Sequence, residues 1–205
     1  NVAAVVHQAE GTDITILAGM EVQTREEVHV ITLFDTLEQV GAWQVQIYDS
    51  LPALQNDEAF FGEQIILDEA GDPVGYMDRL LITSSAFSIE EVTRRVAALG
   101  GICIPAHVDR PMYSIISNLG FVPPGLMVAG LEISYNIRPV EARRRFPELQ
   151  QYGLVGNSDA HRLRDMVGRT MVKVAQATVA ELALALGGRA GREIWVDGIS
   201  TTRCA

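Results

Sequence analysis

Tyr152-Gly153-Leu154-Val155-Gly156-Asn157-Ser158-Asp159-Ala160-His161 is the stretch on which the fold reading turns. A short apolar run bounded by glycines reads as a buried strand, and it ends in a carboxylate and an imidazole two residues apart. Strand ends of this kind carry function, and two such side chains reach one centre when the strand geometry breaks. The chain has only four histidines, so each placement counts.

Outward from that stretch, apolar runs alternate with helical patterns. Upstream, Val128 to Ile133 and Gly101 to Ala106 read as strands. Ser88 to Leu99 reads as a helix opened by a capping box of Ser88 and Glu91. Pro111 suits the first turn of a helix with apolar residues 112, 115, 116 and 119, and Pro139 opens another. Val28 to Phe34 is a strand rich in Val, Ile and Thr, and Asp35 to Leu51 is a helix ended by Pro52. Ile14 to Ala18 reads as an earlier strand, preceded by a helix from Asn1 to Ala9. Downstream, Thr170 to Ala175 and Glu193 to Val196 are strands on either side of a helix capped by Thr178 and Glu181. Residues 62 to 82 depart from this rhythm: Glu69-Ala70-Gly71-Asp72-Pro73 between two apolar runs predicts a hairpin insertion. Alternation of this kind predicts an α/β fold around a parallel sheet, in a single domain over residues 1–205.

Bulk composition supports a globular core, with 48% hydrophobic and 20% charged residues. A formal net charge of −10 argues against broad nucleic-acid binding and against an anionic membrane surface. It leaves room for a small phosphorylated substrate, because bound cations reverse a local field. No apolar run is long enough to span a bilayer, and a cytoplasmic location is expected. Cys103 and Cys204 make no disulfide framework, and Cys103 reads as a small buried hydrophobe.

In parallel α/β folds functional groups gather at the C-terminal ends of strands. Glu21 follows the Ile14 strand, His107 follows the Gly101 strand, Asp159 and His161 follow the Gly153 strand, and His29 lies within its own. Three imidazoles and two carboxylates form a mixed nitrogen and oxygen set suited to Zn, Mn or Fe rather than Ca. Each alone has a plain structural reading: a hydrogen-bonded core histidine, a loop acid, a helix cap. Arg110, beyond His107 and beside a helix start, is the leading phosphate contact, against a surface pair with Asp109. Arg169 is a weaker candidate, and Arg143-Arg144-Arg145 reads as a solvated face. His7 faces away from the apolar stripe of its helix and reads as solvated.

Gly19-Met20-Glu21-Val22, Val28-His29-Val30, Pro105-Ala106-His107 and Ser158-Asp159-Ala160-His161 resemble, in that order, the later motifs of the PHP (polymerase and histidinol phosphatase) domain. The resemblance spans most of residues 10–165. It implies a distorted (β/α)7 barrel holding two or three divalent metals, Mn, Zn, Fe or Mg, in a cleft. It further implies Glu21, His29, His107, Asp159 and His161 as ligands, with Asp159 or His161 also orienting water. Hydrolysis of a small phosphomonoester or nucleotide by a metal-activated hydroxide is the implied activity. The family's opening His-x-His and Asp-His motifs have no counterpart here. The expectation is therefore a barrel incomplete at its N-terminus, with activity impaired. An unpaired edge of the parallel sheet would then favour a homo-oligomer or poor solubility. A non-catalytic regulatory domain on the same fold is the alternative. An amidohydrolase lacks its lysine ligand, since the sole lysine, Lys173, sits inside a strand.

Overall fold

The computed structural model describes residues 1–203, so Cys204 lies outside the described residues. Its first half is organised by a three-stranded sheet of order β1 (Ala18–Gln23), β2 (His29–Phe34) and β5 (Ile102–Pro105). Both pairings are antiparallel, which corrects the parallel sheet expected from the alternation of elements. The reason is the length of the β1–β2 connection. Residues 24–28 close a tight turn, with the Thr24 N–H donating to Val28 O at 2.9 Å and the Glu27 N–H to Thr24 O at 2.9 Å. Glu27 takes a φ of 61° to make it. Five residues cannot hold the crossover that a parallel pair requires, which takes a dozen or more.

The expected strand at Ile14–Ala18 is displaced. Ile14 is exposed, and the strand begins at Ala18, where pairing with Phe34 sets the register. Alternation along β2 buries Val30, Thr32 and Phe34 on one face and turns His29, Ile31 and Leu33 to the other. Against the first face packs α2 (Leu37–Ser50), opened by a reciprocal capping box of Thr36 and Gln39. Its Trp43 is fully buried, and the indole N–H donates to Thr32 Oγ1 at 3.1 Å. Helix α4 (Ile89–Ala98) completes that layer, burying Ile89, Val92 and Val96 behind the expected Ser88–Glu91 box. Leu131, Ile133, Leu149 and Leu154 extend the same core.

The opposite face meets a smaller core of Ile104, Val155, Ala185, Leu186 and Ile194. Ile104 belongs to β5, and the others come from β7 (Leu154–Gly156), α7 (Val179–Leu186) and β9 (Glu193–Val196). β7 pairs in parallel with β6 (Leu131–Ile133), and β9 lies between β8 (Thr170–Lys173) and β10 (Ile199–Ser200), antiparallel to both. At Gly153, just before β7, a Cβ would collide with the Leu186 carbonyl, so this approach of strand to helix requires glycine. The turn-centred segment forms the antiparallel pair β3 (Ile65–Leu67) and β4 (Pro73–Tyr76).

The remaining helices are short. They are α1 (Val2–Ala9), α3 (Glu58–Phe61), α5 (Ile115–Leu119) and α6 (Pro139–Arg145). Pro111 does not open α5, which starts later behind a Ser114 cap donated to by the Ser117 N–H. The fold is thus a mixed α/β one, and among the described residues the strands form separate small sheets rather than a closed barrel. The edge read as parallel is β1 of an antiparallel sheet, across one cavity from Asn1 and Ile65. Asn1 is fastened to β3, donating to Ile65 O at 2.9 Å and accepting from the Leu67 N–H at 2.8 Å. No described helix is long and apolar enough to cross a membrane.

Candidate metal centre

Antiparallel register brings the first two candidate ligands together. Glu21 pairs with Ile31, and Gln23 with His29, so Glu21 and His29 are diagonal neighbours two positions apart on one face. Long side chains bridge such a diagonal. The His29 Nδ1 comes to 2.7 Å from Glu21 Oε1. The third arrives along β5, whose Pro105 pairs with Val30, after which the Ala106 N–H donates to His29 O at 2.9 Å. His107 follows in a left-handed turn, φ 31°, that drops its imidazole beside His29, the ring centroids 5.3 Å apart. Ligand atoms of Glu21, His29 and His107 then all lie within 4.8 Å of one another.

Two features fit this group to a divalent cation. The Nδ1 atoms of His29 and His107 are both buried without an aligned hydrogen-bond partner among the described residues, a costly state for a ring nitrogen. The 2.7 Å approach of His29 to Glu21 is close but misaligned, as expected of two groups that point at a common third point. Two imidazoles and a carboxylate are also a donor set for a first-row divalent metal. Burial pushes the Glu21 carboxyl up, yet the contact with His29 and the nearby imidazoles of His107 and His161 hold it below its ordinary value. Burial drives His107 toward its neutral form, helped by Arg110 and His29 and opposed by Glu21 and Asp159. An ionised carboxylate and a neutral imidazole are the ligating forms.

The strand-end motif stands beside this group without joining it. Asp159, at φ 49°, gives its carboxylate to Arg110, with Nη1 to Oδ2 at 2.7 Å. His161 is 82% exposed along its side chain, and its Nδ1 lies 2.9 Å from the Asp159 carbonyl. Both follow β7 at the mouth of a cleft shared with Arg110, Tyr135, Asp165 and Arg169. Arg110 therefore pairs with Asp159 and not with Asp109, which instead accepts from the Ser134 N–H at 2.7 Å and its hydroxyl at 2.6 Å. Arg169 is anchored, donating to Asp197, to Ser134 O at 2.8 Å and to Ile137 O at 3.0 Å. In the Arg143-Arg144-Arg145 run, Arg144 and Arg145 are exposed as read, but Arg143 is not simply solvated, because it donates to the carbonyls of Tyr152 and Thr201 at 3.1 Å each. His7 is exposed, 2.9 Å from Glu69. Cys103 is buried, and burial pushes its thiol up.

Three residues at the site escape the sequence reading. Tyr113 stacks on His29 with centroids 4.7 Å apart and 14° between planes, and accepts the His29 N–H at 2.9 Å through its carbonyl. Its φ of 58° is strained for a bulky residue, a feature that clusters at functional sites. Glu132 lies at the centre of β6, 3% exposed, and its Oε2 accepts the His107 N–H at 2.8 Å. Burial pushes that carboxyl up to about 7, with Glu21 and Asp159 adding to the rise. The Asn157 side chain approaches the same carboxylate. A lone acid inside Leu131-Glu132-Ile133 was the available signal for Glu132.

No sequence-family model matches the chain, and no curated protein does. The fold is nevertheless shared with solved endonucleases. The lesion-specific endonuclease Q of Pyrococcus furiosus aligns with a TM-score of 0.58 at 20% identity, over 86% of this chain and 40% of that one. Endonuclease Q in complex with a 27-mer duplex, an abasic lesion at its active site, aligns with a TM-score of 0.52 at 19% identity, over 85% and 40%. At such identities the likeness establishes the fold, and this chain spans 40% of the length of those structures.

This likeness overturns one expectation. The resemblance implied a small phosphorylated substrate and the net charge of −10 argued against broad nucleic-acid binding, yet endonuclease Q carries the shared fold and is solved with a 27-mer duplex substrate. Net charge sums the whole surface, whereas a ligand meets a local field. Arg110, Arg145 and Arg169 line the clefts next to this centre.

Proposed function

We propose that this chain carries the core of a divalent-metal-dependent hydrolase that cleaves phosphodiester bonds in nucleic acid. The carrying observation is the convergence of Glu21, His29 and His107 with unpartnered buried ring nitrogens, and the shared endonuclease fold supports it. Within this reading the three residues hold a cation, and they are three of the five positions that carry the PHP resemblance. A bound divalent cation supplies an activated water and neutralises phosphoryl oxygens.

The chain's own residues do the rest. Arg110, on the rim between the metal centre and the open cleft, turns its guanidinium from Asp159 to a phosphate oxygen as the backbone of the substrate enters. Asp159 is thereby released toward the centre, where it accepts a hydrogen bond from water or completes the ligand set. His161, exposed at the cleft mouth, is placed to pass a proton to the leaving oxygen. Tyr113 keeps the His29 ring in its plane, and the left-handed turn keeps His107 facing it. Positioning and charge stabilisation are the main demands of displacement at phosphorus.

The test combines metal analysis with cleavage of a labelled duplex, intact or carrying an abasic site, in Mn, Zn, Fe and Mg. Wild type should bind metal and cleave, while Glu21→Gln and His107→Ala should lose most of both. Metal content and cleavage equal to wild type in both variants would refute the assignment.

A further inference from the structure

Among the described residues Glu132 is the one buried carboxylate, and it lies beside the centre. Its neighbours Leu131 and Ile133 are fully buried, so the strand carries an acid between two core residues. Two groups of Glu132 hold the His107 turn. The carboxylate accepts the His107 N–H at 2.8 Å, and the Glu132 carbonyl accepts the following Val108 N–H at 2.9 Å. Two positions along, on the same face, Ser134 fastens Asp109 through its N–H and hydroxyl. The turn from 107 to 109 is therefore clamped to β6 at both ends. Asn157, two residues before Asp159, lies close enough for its side-chain amide to draw down the pKa of the same carboxylate.

The charge environment is one-sided. None of the described arginines or Lys173 pairs with Glu132, and the charges that bear on it are the acids Glu21 and Asp159. Buried carboxylates without a cation are expensive, and an amide or an apolar residue would make a better strand. A positive ion held by His107 and its partners removes that expense, because its own charge dominates the local field. Groups that hydrogen-bond around the ligands, rather than to the metal, orient those ligands and tune the affinity of such a centre.

We propose that Glu132 is a positioning residue of the metal centre: it holds His107 in its left-handed turn facing Glu21 and His29, and ties that turn to the strand end bearing Asn157 and Asp159. The inference rests on the metal reading above. It goes beyond that reading by assigning a buried acid that does not itself ligate.

The experiment uses the full chain, with Mn and Zn each titrated calorimetrically into wild type, Glu132→Gln and Asn157→Ala, alongside melting in chelator. Glu132→Gln should bind each metal about 10- to 100-fold more weakly, while its metal-free melting temperature is unchanged or higher. Asn157 is exposed, so Asn157→Ala keeps the fold, and it should weaken binding toward the lower end of that range. Unchanged affinity in Glu132→Gln, with or without a lower melting temperature, would reduce Glu132 to a structural strut and overturn the inference. Were Glu132→Gln unable to fold, Asn157→Ala decides the matter, and wild-type affinity there overturns it. Wild type that binds neither metal would instead remove the metal reading itself, so the two failures are distinguishable.

Discussion

In metal-free protein the contribution of Glu132 to stability should fall as pH rises. Its carboxyl sits at about 7 in the folded state against 4.5 ordinarily, because it is buried without a cation. The folded pKa is raised, so the folded state binds the proton more tightly than the unfolded one. Glu132 thus adds stability that is fully present below pH 4.5, falls through the window from 4.5 to about 7, and is gone above it. A rise of about 2.5 units (7 less 4.5) corresponds to roughly 3 kcal/mol at 1.36 kcal/mol per unit. Other groups titrate nearby: His107, with its pKa lowered, acts in the opposite sense and loses stability as pH falls. Comparing wild type with Glu132→Gln removes that common background. Urea unfolding of both proteins in chelator, from acid to mildly alkaline pH, measures the difference directly. Wild-type stability relative to the variant should fall by roughly 3 kcal/mol across the window. A difference that stays flat with pH would refute the reasoning, because an exposed or cation-paired carboxylate gives no such slope.

Arg169→Met removes a guanidinium that is 10% exposed and that bonds to Asp197 and two carbonyls, and it should cost about 2–4 kcal/mol by urea unfolding while metal affinity stays at the wild-type value. Weakened metal binding at unchanged stability would instead return Arg169 to the site. Gly153→Ala drives a methyl into the Leu186 carbonyl and should destabilise by about 2–3 kcal/mol, read as a lower melting temperature; a neutral outcome would mean that β7 and α7 separate easily. Arg110→Gln should leave folding intact and reduce by about one the slope of log DNA affinity against log salt concentration, measured by fluorescence anisotropy. An unchanged slope would place Arg110 off the phosphate path.

Helix positions were legible wherever local chemistry decides them. The capping box of Ser88 and Glu91 forms as read, while at Thr178 only half of the expected box does: its hydroxyl accepts the Glu181 N–H, and the Glu181 carboxylate takes the Ala175 N–H instead. Strand direction was not legible from alternation alone, because helices between strands suggest crossovers whichever way the strands run. The decisive information was the five-residue turn at 24–28, which admits only a hairpin. That turn also produces the site. As read, Glu21 stood beyond the end of one strand and His29 inside the next, whereas in the hairpin they become diagonal neighbours within reach of each other. The candidate ligands were thus readable by residue type, and their geometry arose from a topology that the same reading had wrong.

Net charge misled for a related reason. It is a global sum, and the groups that matter here are arranged locally: Arg110 at the cleft, His29 and His107 facing Glu21, and Glu132 buried behind them. An acidic surface and a cation-binding centre are compatible and mutually supportive, since carboxylates concentrate divalent ions while the bound ion presents positive charge to a phosphate. On this argument the acidity of the chain works against nucleic-acid binding only while the centre is empty. DNA affinity should therefore rise with added divalent metal at constant ionic strength in wild type, and should not rise in His107→Ala, with anisotropy as the measurement. Equal metal dependence in the two proteins would show that the ions act on the surface generally, and the local-field argument would fail.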